Sequence, residues 1–193
     1  MNNDQMTIAE FVAMRNNSKK LFTAGPSSLL AENITGLMPC FGRGDEEYLA
    51  AEDDVLQRLM KMTGHKKIAR MQGSGSLALE IMARNFLHGR VLIISTGYYS
   101  DRLFALTETS ARNGSAITSV TKLNWQELDT RRGSYDWVWA CPTETSVGLK
   151  LPISTLADFA KKSGARLMLD ATASVGLEGD HHLADVVSYS SCK

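Results

Sequence analysis

The run "ARLMLDA" (165–171) and, after a loop, the run "ADVVSYSS" (184–191) decide how this chain folds. Leu167, Met168 and Leu169 are consecutive and apolar, so the strand they predict has both faces covered, as strands of parallel sheets do. It ends on an acid, Asp170. The second run leads to Lys193, the last residue. Working towards the N-terminus, "YDWVWACP" (135–142), "AITSVTKL" (116–123) and "RVLIIST" (90–96) read as further strands, the last with almost no polar alternation. "KKIARM" (66–71) is a short strand candidate. Helical spacing of Leu49, Leu56, Leu59 and Met60 predicts a helix over 46–62, closed by Gly64. "GSGSLALEIMARNFL" (73–87) opens on glycine and serine and becomes an amphipathic helix, and further helices fall at about 99–113 and 152–163. Residues 1–20 are polar and read as an N-terminal arm or a short helix; "LFTAGPSSL" (21–29) is a turn-rich entry.

Strand and helix alternate from residue 73 onward, which predicts an α/β fold: a three-layer αβα sandwich with a mostly parallel sheet and right-handed crossovers. Ligands of such sheets bind beyond the carboxyl ends of the strands. Chemistry is therefore expected at residues 73–76, 97–99, 143–146, 170–172 and at Lys193.

The totals narrow the function classes. The 193 residues suit one domain with a lead-in segment, and 44% hydrophobic with 22% charged residues is ordinary globular composition. A formal net charge of +0 argues against nucleic-acid or membrane-surface binding. No apolar run approaches the ~18 residues that span a bilayer. "MNNDQMTIAEF" lacks the cationic start and apolar stretch of a signal peptide. Cys40, Cys141 and Cys192 are odd in number and far apart, which fits reduced thiols in a cytoplasmic protein. His181-His182 beside Asp180 lacks ligand spacing and reads as a polar loop; no metal site is expected.

Each strand end offers one chemical group. "QGSGS" (72–76) opens a helix, where free N–H groups and the hydroxyls of Ser74 and Ser76 suit a phosphate. It is neither a full GxGxxG nor a Walker loop. Tyr98 or Tyr99 can cover a flat ring. Thr145 and Ser146 in "CPTETSVG" can donate to a phenolate, and Glu144 can anchor that loop. Asp170 closes an apolar strand and needs a cationic partner such as a protonated ring nitrogen. Were the last two strands parallel neighbours, ~4.8 Å apart, Lys193 and Asp170 would flank one small ligand. A partly dry lysine amine can condense with an aldehyde. Phosphate cradle, ring cover, phenolate donor, nitrogen partner and amine together match the attachment points of pyridoxal 5′-phosphate.

With "TAGPSSL", "RGDEEY", "GSGSLALE", "GYYSDR", "CPTETSVGL", "LMLDATASVG" and "SYSSCK", the chain resembles the class V aminotransferases of the fold type I pyridoxal-phosphate family, in the branch of alanine–glyoxylate, serine–pyruvate and 2-aminoethylphosphonate–pyruvate transaminases. The motifs run over residues 21–193. The resemblance implies that residues 21–193 are the cofactor-binding large domain, ending at the lysine, whereas members continue into a small C-terminal domain. It implies that Lys193 binds the cofactor covalently and that Asp170 keeps the ring nitrogen protonated. Thr172 falls under the ring, Tyr99 over it, and Thr145 near its phenolic oxygen. Ser74, Gly75 and Ser76 match the phosphate turn; Ala24 and Gly25 fall where the substrate's acid group approaches. Cys192 departs from the usual amide or hydroxyl residue before the lysine, and Arg43 is assigned no role. The implied activity is transamination from a small amino acid or aminophosphonate to a 2-oxo acid such as pyruvate or glyoxylate, in a homodimer. A lyase or desulfurase of the same fold, and a non-catalytic fragment, are the alternatives.

Overall fold

The computed structural model describes residues 6–16, 25, 30–35, 41–42 and 44–191. Ala24, Arg43, Cys192 and Lys193 thus lie outside the described residues. The chain divides into two compact units, one holding the described residues up to Gln57 and the other running from Arg58 to Ser191.

The first unit carries helix α1 (Ile8–Asn16) and the short α2 (Ala31–Thr35). A reciprocal cap starts α1: the Thr7 hydroxyl accepts from the Glu10 N–H at 3.2 Å, and the Glu10 carboxylate accepts from the Thr7 N–H at 2.7 Å. Helix α3 (Glu46–Thr63) follows. It ends, as its apolar spacing predicts, at Gly64, whose φ of 73° lies in the left-handed region glycine tolerates best.

In the second unit, α4 (Gly75–Phe86) precedes β1 (Gly89–Ser95), α5 (Tyr98–Arg112) and β2 (Ile117–Asn124). Then come β3 (Trp137–Ala140), a two-strand antiparallel hairpin of β4 (Thr143–Glu144) and β5 (Leu149–Lys150), and α6 (Ile153–Lys162). Strands β6 (Arg166–Asp170) and β7 (Val186–Ser188) close the described fold. The main sheet has the order β2-β1-β3-β6-β7, and every pairing in it is parallel.

Side-chain alternation sorts the sheet's two faces. Val91, Ile93, Trp137, Trp139 and Met168 pack with Leu79, Met82 and Ala83 of α4 and Leu103 of α5. Leu92, Ile94, Val138, Ala140, Leu167 and Leu169 pack instead with Leu156, Phe159 and Ala160 of α6. Helices therefore cover both faces, the expected three-layer αβα sandwich. That explains why β1, β3 and β6 carry apolar residues at odd and even positions alike.

The segment 66–71 departs from the sequence reading. It is irregular and mostly exposed, and it pairs with no strand among the described residues. Lys66, Lys67 and Arg70 leave Ile68 as its one β-branched residue, too little apolar side chain to hold a place in a sheet buried on both faces. Among the described residues no helix is long and apolar enough to cross a membrane.

Candidate active site at the carboxyl edge of the sheet

Because the strands are parallel, the segments leaving β1, β3, β6 and β7 emerge at one edge. β1 has β2 on one side and β3 on the other, so successive crossovers diverge at that edge, where ligands of such sheets bind.

Asp170 is the last residue of β6 and is 6% exposed. Its Oδ1 accepts from the Thr172 hydroxyl at 2.6 Å and from the Thr172 N–H at 3.1 Å. Thr172 thereby fixes the rotamer of the acid and holds one of its two oxygens. Asp170 stands in register with Ser188 of β7, so the expected adjacency of the last two strands is present. The Ser188 hydroxyl is buried and finds no hydrogen-bond partner among the described residues.

Ser74 is the N-cap of α4; its Oγ accepts from the Leu77 N–H at 3.2 Å. The N–H groups of Gly75 and Ser76 lie in the first turn, where no carbonyl of the helix itself can reach them. A Cβ built on Gly75 would stand 3.2 Å from the Cβ of Ser190 and 3.8 Å from the Thr172 hydroxyl. Glycine here leaves open a space that one methyl group would fill, bounded by the start of α4 and the segments beyond β6 and β7. The Ser76 hydroxyl accepts from Arg102 Nη2 at 2.8 Å, which brings a guanidinium to the same helix end. First-turn N–H groups, serine hydroxyls and a cation are the donor set a phosphate monoester requires, so the residues fit the phosphate end of the implied cofactor.

The N-terminus of α5 is built differently. Gly97 is its N-cap and offers no side chain; the carboxylate of Glu144, on the β4–β5 hairpin, takes that place. Glu144 is fully buried. Its Oε2 accepts from the N–H groups of Tyr99 and Ser100, each at 3.1 Å, and from the Thr96 hydroxyl at 3.3 Å. Its Oε1 accepts from the Ser146 hydroxyl at 2.5 Å and the Ser146 N–H at 3.3 Å. The Ser146 hydroxyl oxygen in turn accepts from the Tyr98 N–H at 3.1 Å. Tyr99 is half-buried with its ring edge-on to Tyr98, centroids 5.4 Å apart. Thr145 is half-buried between the two bonded residues of its loop.

The structure thus brings Ser74, Gly75, Ser76, Thr172 and Asp170 together, with Tyr99 and Thr145 on the neighbouring strand ends. Gly25 belongs to the first unit. Lys193 and Ala24 lie outside the described residues. Two residues of the site were not singled out from sequence. Ser190 sits in a run of serines in which nothing marks the one that meets Gly75. Arg102 lies three residues after Tyr99, on the same helix face, a spacing that was available to reading.

His181 departs from the expected polar loop. It is 2% exposed, with Nε2 2.9 Å from the Ser174 hydroxyl. Asp180, at φ 68°, turns the chain so that the ring points inward. Burial pushes the His181 pKa below its usual value, opposed by Glu178 and Asp180 and reinforced by His65. No group of three His, Cys, Asp or Glu residues arranged to hold a metal occurs among the described residues.

This parallel sheet with helices on both faces matches the aminotransferase fold type I. The solved structure of pyridoxamine-pyruvate aminotransferase from Mesorhizobium loti matches with a TM-score of 0.74 and 19% identity, covering 89% of this chain and 47% of that one. Alanine–glyoxylate aminotransferase from Nostoc sp. matches with a TM-score of 0.70 and 21% identity, covering 92% and 53%. In sequence, the chain is 27% identical over 169 residues to the 2-aminoethylphosphonate–pyruvate transaminase of Pseudomonas aeruginosa, covering 82% of this chain and 46% of that protein. Identity to the Pseudomonas putida protein of the same name is 25% over 170 residues. No family model matches the chain. The chain resembles the class V aminotransferases in both sequence and fold, and it spans about half the length of the curated relatives it matches.

Proposed function

We propose that this chain is the cofactor-binding part of a pyridoxal-phosphate-dependent aminotransferase. Its reaction moves an amino group from a small amino acid or aminophosphonate to a 2-oxo acid such as pyruvate or glyoxylate. The observation that carries the reading is the meeting of the α4 N-terminus, Ser190 and Thr172 next to the buried Asp170. The names of the similar proteins supply the donor and acceptor classes.

In this reading the phosphate is held by Ser74, Gly75 and Ser76, with Ser190 and the charge of Arg102. The Asp170 oxygen not held by Thr172 faces the ring nitrogen and keeps a proton on it. Thr172 packs under the ring, Tyr99 covers it, and the Thr145 hydroxyl donates to the phenolic oxygen. Lys193 would hold the cofactor covalently, and its amine would serve as the base for the substrate's α-proton. Ala24 and Gly25 meet the acid group of the substrate. When bound, the cofactor supplies an electron sink for the carbanion, and the protein supplies orientation and charge. Residues 21–193 form the large domain behind an arm of residues 1–20, in a cytoplasmic homodimer.

Incubating the whole protein with pyridoxal phosphate tests the reading. A visible absorption band is expected that bleaches with an amino donor and returns with pyruvate or glyoxylate. Lys193→Ala should abolish the band and the turnover. Persistence of both in that variant, or release of sulfide from cysteine in place of transamination, overturns the reading.

A further inference from the structure

We propose that Glu144 is a positioning residue: an internal anion at the N-terminus of α5 that locks the ring-covering Tyr99 and the Thr145 loop into one rigid piece. The inference rests on the cofactor reading above and deepens it. Among the described residues, the groups that reach the Glu144 carboxylate are donors: three backbone N–H groups and two hydroxyls. None is a lysine or arginine. The positive end of α5 and these charge-assisted hydrogen bonds therefore balance a fully buried acid.

An ordinary N-cap would come from the residue before the helix. Here that residue is Gly97, and a Cβ on it would stand 2.8 Å from Glu144 Cγ and 2.8 Å from the Ser146 hydroxyl. A local serine or aspartate cap would steady α5 alone. A cap brought from the loop after β3 steadies α5 and that loop against each other. Oε2 serves the α5 side and Oε1 the Ser146 side, with the Tyr99 N–H shared between them at 3.1 and 3.3 Å. Tyr99 is held through its own N–H. Thr145 is held by the residues before and after it. The same carboxylate fills the anion position of α5, whereas the N-terminus of α4 presents serine hydroxyls and the Arg102 guanidinium, which suit a phosphate.

Glu144→Gln is the discriminating variant. A glutamine keeps the shape but has one acceptor oxygen, so its NH₂ must face donors on one side or the other. In the whole protein, pyridoxal phosphate affinity is read from quenching of tryptophan fluorescence. Ring orientation is read from the visible circular dichroism of the bound cofactor, and the phosphate end from competition by inorganic phosphate. Glu144→Gln should weaken pyridoxal phosphate by about tenfold or more and change the circular dichroism, while the affinity for inorganic phosphate stays as in wild type. Ser146→Ala leaves the bonds from the Tyr99 and Ser100 N–H groups to Glu144 in place but removes the hydroxyl that donates to Glu144 and accepts from the Tyr98 N–H; it should move the same readouts less. It keeps the test open if Glu144→Gln does not fold. Wild-type affinity and circular dichroism in Glu144→Gln, with only a lower melting temperature, would overturn the positioning role. So would an unchanged Ser146→Ala if it is the variant that folds. Failure of the wild-type protein to bind pyridoxal phosphate overturns the cofactor reading itself, a separate result that takes this inference with it.

Discussion

Helices α4 and α5 begin at the same edge of the same sheet, and their N-termini are finished in opposite ways. At α5 the positive helix end meets a buried carboxylate, supplied by Glu144 from a distant loop. At α4 it meets serine hydroxyls, a glycine that keeps space open, and the Arg102 guanidinium. A helix dipole and first-turn N–H groups that no carbonyl of their own helix can reach are common to both. What differs is whether the chain brings its own anion. A helix end that is already neutralised is scaffold; one furnished with donors and left without an acid suits a ligand's anion.

The comparison breaks most readily at Asp170. Should the α4 side carry the cofactor, Asp170→Asn removes the charge that faces the ring nitrogen while keeping the two bonds from Thr172 to one oxygen. Losing one partner of a buried charge pair costs about 2–5 kcal/mol, so kcat/KM should fall by roughly 30-fold or more. Steady-state kinetics on the whole protein check this. A smaller loss for Asp170→Asn than for Glu144→Gln would mean that the roles of the two helix ends have been exchanged.

Two glycine substitutions sharpen the contrast, because each adds atoms at one helix end. At Gly75 the atoms nearest a Cβ belong to Ser190 and Thr172, at 3.2 Å or more. Gly75→Val should fold and lose inorganic phosphate affinity by about tenfold or more, since its γ-carbons enter the space of a charge-assisted site. At Gly97 a Cβ meets Glu144 and Ser146 at 2.8 Å. Gly97→Ala forces an overpacked, hydrogen-bonded acid to move and should cost about 1–3 kcal/mol of stability. Melting temperature should fall by roughly 2–4 °C per kcal/mol, with little change in phosphate affinity. Calorimetric melting and phosphate titration on both variants separate the outcomes.

How much of this contrast was legible in the sequence depends on the range of the contacts. Strands β1, β3 and β6 are apolar at successive positions and were readable as buried parallel strands; Asp170 stood out because an acid ends such a run. The start of α4 was readable because Ser74 and Gly75 act locally. Glu144 was readable only as a loop anchor. Its partners Tyr99 and Ser100 lie in another crossover, and no local pattern announces that a helix lacking a side-chain cap will borrow one. Ser190 was hidden for a related reason. In "SYSSCK" three serines look alike, and only the packing of β7 against α4 selects the one beside Gly75. The segment 66–71 misled because a short run with one isoleucine satisfies a strand template without supplying the buried surface a central sheet needs. His181 misled in the other direction. Two adjacent histidines beside an aspartate look solvated, and only the left-handed turn at Asp180 reveals that one ring goes inside.

That buried ring gives the last and smallest way to separate the two helix ends. Its bond to Ser174 ties down the loop that follows Asp170, on the α4 side. Burial lowers the folded-state pKa of His181 from its ordinary 6.5. Between that lowered value and 6.5 the unfolded chain binds more protons than the folded one, so stability rises with pH there. The contribution is fully present above 6.5 and is lost as the pH falls through the folded-state pKa. Glu178 and Asp180 soften the loss by favouring the imidazolium, and His65 opposes them. Below pH 6.5, amide exchange should therefore quicken at Ser174 and Val175, whose N–H groups close the turn onto Ala171. The N–H groups of Tyr99 and Ser100, held by Glu144, should keep their protection across the same range after correction for intrinsic rates. His181→Asn should remove the difference, because an asparagine at that place does not titrate. An equal loss of protection at both helix ends would show instead that acid loosens the whole sheet edge, with no part played by His181.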